Sequence, residues 1–210
     1  MKLENKILDL KNSKIKKAVD KRLKEFKSKK SKNNHEWFSE LCFCILTANS
    51  RAKTAINIQK ELGAKGFIEK SQKELEKTIS KNKHRFSGMK SRYIMKARNH
   101  ESIKNEIKKM ADKNQHEARD YLAENVLGIG YKEASHFLRN IGYFDLAILD
   151  RHILALLKEH DYLKGLPKTL TKKKYFEIEK IFNKLSKKLK MSCAELDLYM
   201  WHMKTGEVLK

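Results

Sequence analysis

The chain of 210 residues has one proline and only eight glycines, so few breaks are written into its backbone. Its three cysteines, Cys42, Cys44 and Cys193, are too few and too unevenly spaced for a disulfide framework, which fits a reducing cytoplasm. Cys42-Phe43-Cys44 lies inside an apolar run, where thiols serve more often as small buried hydrophobes than as ligands, and no metal or other cofactor is expected. No stretch approaches the roughly 20 apolar residues of a spanning helix, which excludes a helical membrane anchor. The opening Met1-Lys2-Leu3-Glu4-Asn5-Lys6 lacks the apolar centre of a secretory signal. Period-two alternation long enough for a sheet is missing, as is any repeat of a solenoid's length. Acidic residues are also scarce: 26 Asp and Glu face 48 Lys and Arg, a net charge of +22 that calls for a polyanionic partner.

What is present favours helix. Lys, Leu, Glu and Ile dominate, and apolar residues recur at helical spacing in Ile15, Val19, Leu23 and Phe26, in Trp37, Leu41, Ile45 and Leu46, and in Ile178, Ile181, Phe182 and Leu185. These stripes read as core. Breaks are expected at Lys27 to Asn34, Gly63 to Gly66, Lys81 to Gly88 and Gly165 to Pro167, leaving about ten helices of ordinary length. The class is all-α. Lysine runs such as Lys172 to Lys174 are the solvated faces of such helices.

The specific signal lies between Glu124 and Ile153, ENVLGIGYKEASHFLRNIGYFDLAILDRHI. Leu127-Gly128-Ile129-Gly130 is a glycine turn between two helical stretches, the second carrying Ala134, Phe137, Leu138 and Ile141 on one face. Glycines there let backbone approach a phosphate, which the opening N–H groups of the second helix would face. A plain αα-hairpin with a glycine cap satisfies the same pattern. Asp150, directly before Ile153, Leu154, Leu156 and Leu157, suits an N-cap on structural grounds alone. Lys132 taken alone is one solvated lysine among many.

Together, Leu127-Gly128-Ile129-Gly130, Lys132, Asp150 and His152 resemble the helix-hairpin-helix DNA glycosylases of base excision repair. FCILTANSRAKT (Phe43 to Thr54) is similar to that superfamily's helix–turn element entering DNA beside the lesion. Arg85-Phe86 and KSRYIMKAR (Lys90 to Arg98) resemble its archaeal-type, or type 2, 8-oxoguanine branch. The turn has Leu127 where many relatives carry proline, and the C-terminal four-cysteine cluster of the endonuclease III group has no counterpart, since only Cys193 lies there. The resemblance implies two helical subdomains flanking a DNA-binding cleft: one lobe from about 1–48 plus 151–210, the other from about 49–150, with the hairpin at about 120–141.

It also implies a bifunctional glycosylase and lyase for 8-oxoguanine in double-stranded DNA, working as a monomer in a prokaryotic cytoplasm, associated with the nucleoid. Lys132 would attack the sugar and Asp150 would stay ionised to stabilise the positive charge that develops; superfamily members without lyase activity lack that lysine. Asn49, Ser50, Arg51, Gly128, Gly130 and His152 would touch DNA. Asn49 could bond the widowed base or cap the helix that starts near Arg51; His152 could contact phosphate or sit satisfied in its own helix. Trp201, beside Met200 and Met203, reads as core or as a stacking surface for the flipped base. In the type 2 branch the C-terminal lysine takes part in lesion recognition, and the carboxylate of Lys210 is the expected acceptor for the N7–H that distinguishes 8-oxoguanine from guanine. Two other readings stay open: a glycosylase for oxidised pyrimidines, and a non-catalytic helix-hairpin-helix module that only grips DNA.

Overall fold

The chain folds into twelve α-helices and no strands in a computed structural model that describes residues 1–210. In order they are α1 (Leu3–Lys11), α2 (Ile15–Lys29), α3 (Asn34–Thr47), α4 (Ala52–Glu69), α5 (Gln72–Lys81) and α6 (Ser87–Ala97). They continue as α7 (Ile103–Lys113), α8 (Gln115–Asn125), α9 (Tyr131–Asn140), α10 (Arg151–Glu159), α11 (Lys172–Lys188) and α12 (Cys193–Thr205). Asn33, Thr171 and Ser192 each accept a backbone N–H three residues on, and Ser71 forms a reciprocal capping box with Glu74. The count exceeds the ten expected from glycine and proline punctuation because some breaks use neither. Asn114 ends α7 and, accepting from the His116 N–H, also caps α8. The expected loop at Lys27 is helical to Lys29, whereas the break at Gly63 is real: φ there is 61° and the helix kinks.

Two apolar cores form. The first joins α3 to α9 around Trp37, Phe43, Phe67 and Phe137; the second joins α1, α2 and α10 to α12 around Phe26, Tyr175, Phe182 and Tyr199. The division between the two cores falls before α3, whereas the lobe boundary was expected near residue 48. The reason is local: every residue of α3 from Trp37 to Thr47 is buried, so the helix has no solvent face and serves as the axis of the first core. The second crossing lies at Leu146–Ala147, which belong to different cores.

Two buried ion pairs clamp the lobes together. Arg119 Nη1 on α8 donates to Glu179 Oε1 on α11 at 2.6 Å, and Arg139 on α9 pairs with Asp197 on α12. Glu179 also accepts the Ala147 N–H at 3.2 Å, tying the crossover segment to the same clamp. Such pairs add little net stability over apolar contacts, but breaking one leaves a buried charge, so they specify how the lobes meet. No helix is long and apolar enough to cross a membrane.

Candidate active site

The hairpin is α8, a turn at Val126 to Gly130, and α9. Gly128 has φ of +87°, and a Cβ there would lie 2.4 Å from the Tyr93 ring, so both backbone and packing demand glycine. Gly130 is different: its backbone is extended and a Cβ would meet only a Glu133 carboxylate oxygen, at 3.4 Å. No side chain caps α9, which leaves its first N–H groups open to an outside acceptor. Leu127 at the tip is 54% exposed, so the turn projects from the surface.

Behind the hairpin, where the lobes meet, lies a pocket of about 80 Å³. Lys132, from the first turn of α9, and Asp150, at the start of α10, line it together with Trp201 and Lys210, and Ser50 reaches it from the turn between α3 and α4. Five of the residues singled out from sequence thus converge. Asn49, Arg51, Gly128, Gly130 and His152 do not line it.

Asp150 is the N-cap of α10, its Oδ1 accepting the N–H groups of His152 and Ile153, each at 2.8 Å. That capping bond fixes the carboxylate at the pocket wall, so cap and site coincide in one residue. Lys132 forms no ion pair with Asp150. Its Nζ lies 2.8 Å from Glu133 Oε1, the neighbouring side chain on the same helical turn.

Asn49 does not cap α4. The N-cap is Arg51, without a side-chain bond, and Asn49 instead takes a left-handed backbone with φ of 61° that turns the chain out of α3. His152 packs edge-on against Trp201, ring centroids 5.0 Å apart at 85°, and accepts a bond from Arg151 Nε at 3.3 Å. Trp201 is half-buried against the pocket, while Met200 beside it is fully buried in the second core.

A polar network missed in the sequence surrounds Lys210. Lys210 Nζ donates to both oxygens of Glu40, at 2.9 and 3.0 Å, and to Gln59 Oε1, and it sits 4.2 Å over the Phe43 ring. Burial pulls the Lys210 ammonium below the usual lysine range, and Glu40 opposes that pull. Glu40 also takes Lys29 Nζ at 2.8 Å and Asn140 Nδ2 at 3.1 Å. Asn140 Oδ1 in turn accepts from Arg139, the partner of Asp197. The available signal was a lone acid inside each apolar run, Glu40 in SELCFCIL and Asp197 in LDLYM.

The last turn of α3 is held in place by Lys90 Nζ on the Ile45 carbonyl at 2.6 Å and His84 Nε2 at the Leu46 carbonyl, 2.9 Å. Burial lowers the Lys90 ammonium to about 8, with Glu133 opposing the shift and Lys132 adding to it.

A family model described as 8-oxoguanine DNA glycosylase matches residues 19–191. An 8-oxoguanine DNA glycosylase/AP lyase of Methanocaldococcus jannaschii is 50% identical over 210 residues, covering 100% of both chains. One from Thermoplasma volcanium is 45% identical over 193 residues, 91% of each. Among solved structures, the Methanocaldococcus jannaschii 8-oxoguanine glycosylase/lyase in complex with a 15mer DNA containing 8-oxoguanine superposes with a TM-score of 0.96 at 50% identity, covering 99% of both chains. The 8-oxoguanine DNA glycosylase of Thermotoga maritima gives 0.92 at 35% identity, covering 99% of this chain and 98% of that one.

Proposed function

The chain belongs to the 8-oxoguanine DNA glycosylase family, and on that premise we propose how its pocket works: Lys132 is the nucleophile, Asp150 the electrostatic partner, and Trp201 with Lys210 the base-recognition end. It is a bifunctional enzyme that excises 8-oxoguanine from DNA and cleaves at the resulting abasic site. The observation that supports the assignment of residues is the convergence, in one pocket, of a lysine, a fixed carboxylate and an aromatic from three separate helices.

The damaged nucleotide must leave the stack, because C1′ is out of reach within the duplex. The open N–H groups of α9 and the glycine turn grip the backbone, with Ser50, Asn49 and Arg51 at the neighbouring turn and His152 behind Trp201. Lys132, freed from Glu133 and deprotonated, attacks C1′; the glycosidic bond breaks and its electron pair leaves with the base. Ring opening gives an iminium between Nζ and C1′. Loss of a proton from C2′ then expels the 3′ phosphate by β-elimination. Asp150, its carboxylate held by two N–H bonds, stabilises positive charge building on the sugar. Trp201 stacks on the base, and the Lys210 carboxylate, anchored through the ammonium of the same residue, accepts the N7–H.

The enzyme works in the cytoplasm, where its DNA lies. A pure DNA-binding module would have no use for a lysine in a pocket beside a fixed carboxylate. An oxidised-pyrimidine substrate is disfavoured by relatives named for 8-oxoguanine across the full chain length.

Borohydride trapping on an 8-oxoguanine duplex tests the assignment. The native chain should become covalently linked, and Lys132→Gln should bind the same duplex yet lose both trapping and strand cleavage. Trapping by Lys132→Gln would place the nucleophile on another lysine.

A further inference from the structure

His136 lies one helical turn after Lys132 on α9, with its ring in the wall of the same pocket and 8% exposed. Its Nε2 is buried and has no hydrogen-bond partner. The ring is fixed edge-on against Phe43, centroids 5.5 Å apart at 85°, and Phe43 in turn carries the Lys210 ammonium on its face. A buried polar atom normally finds a partner, and one left without it in a well-packed wall marks a place where a ligand supplies the bond. We propose that His136 is a base-contacting specificity residue, its Nε2 forming a hydrogen bond with the polar edge of the 8-oxoguanine turned into the pocket.

Three features carry this. The position is right, because a residue one turn from the nucleophile faces the same way from the helix. The chemistry is right as well: burial, with the positive charges of Arg139, Lys132 and Lys210 nearby, holds the imidazole well below its usual titration range, so the ring stays neutral. A neutral imidazole is donor at one nitrogen and acceptor at the other, and 8-oxoguanine offers both roles along its edges. Finally, the ring is packed edge-on against Phe43 in a buried wall, with no other polar partner at its Nε2.

The inference rests on Lys132 being the nucleophile of this pocket, and the experiment separates the two. Three chains, native, His136→Phe and His136→Gln, are assayed for release of 8-oxoguanine from duplex DNA and for cleavage of a pre-formed abasic site, which has no base to contact. His136→Phe keeps a flat ring but has no polar atom, so base release should fall about tenfold or more, while abasic-site cleavage stays within about twofold of native. His136→Gln can still hydrogen-bond and should recover most of the release. Unchanged release by His136→Phe, an equal loss of both activities, or a His136→Gln no better than His136→Phe would each overturn the proposal. Failure of the native chain to trap on the abasic site would instead strike at Lys132 and leave the His136 comparison to be read by base release alone.

Discussion

The two ends of the pocket are built in different ways. At the chemical end, Lys132 and Asp150 stand in the first turn of one helix and at the cap of the next, half-open to solvent and placed by local backbone. At the recognition end, the half-buried Lys210 joins a chain of contacts through Glu40, Asn140, Arg139 and Asp197, drawn from α3, α9, α12 and the C-terminus. Reactive groups need access and a fixed origin, which helix starts provide. A base edge must be read in a dry, rigid frame, which only long-range packing provides.

The largest effect that would sharpen this contrast is on rate at the chemical end. Asn caps a helix nearly as well as Asp, so Asp150→Asn should unfold within about 1 kcal/mol of native. Without the charge, excision and abasic-site cleavage should both fall by about 10²–10³, the loss seen when one electrostatic stabiliser is removed from an active site. Thermal unfolding and single-turnover rates on the two substrates measure the split. Full activity in Asp150→Asn would reduce the residue to a cap and erase the difference between the ends.

A smaller and more selective effect belongs to the recognition end. Glu40→Gln leaves the Lys210 and Lys29 ammonium groups without their buried carboxylate, at a stability cost of up to about 3–5 kcal/mol. The loosened terminus should lower 8-oxoguanine release about tenfold and leave cleavage of a pre-formed abasic site intact. A native chain extended by a few C-terminal residues keeps the Glu40 network and moves only the carboxylate, so it should show the same selective loss without the loss of stability. If both activities fell together in the extended chain, the terminus would be acting on the sugar and not on the base.

The same contrast explains what could be read in the sequence. Lys132, Asp150 and the glycine turn were legible because they lie within one hairpin and the helix that follows it, where spacing reports geometry directly. The all-helical class followed from composition and apolar spacing. Glu40, Gln59 and His136 were not legible, since their roles depend on which helices the topology brings together. Glu40 and Lys210 meet from opposite ends of the chain. Of the two readings open for Asn49, the cap falls away because the turn after α3 uses a left-handed residue in place of a side-chain bond. The division between the cores was not legible either, because α3, buried on every side from Trp37 onward, gives no sign in its spacing of which core it will enter.

The smallest effect concerns Lys90, which belongs to neither end and holds the turn between them. Its buried ammonium bonds the Ile45 carbonyl and is held at about 8, against 10.5 for a free lysine side chain. Because the folded value is the lower one, the unfolded chain binds more protons from about pH 8 to 10.5. The sign follows directly: the cost of burying the charge is fully present below about 8, fades as pH rises through that value, and is gone above 10.5. Between pH 8 and 9 this gives the native chain about 1 kcal/mol, or roughly 2–4 °C in Tm for a chain of this size. Lys90→Met removes the titrating group, so its Tm should lack that increment whatever its level at neutral pH. Subtracting one pH profile from the other cancels every other group that titrates alike in both. Parallel profiles would mean that water reaches the ammonium, and that the end of α3 is held by His84 and packing alone.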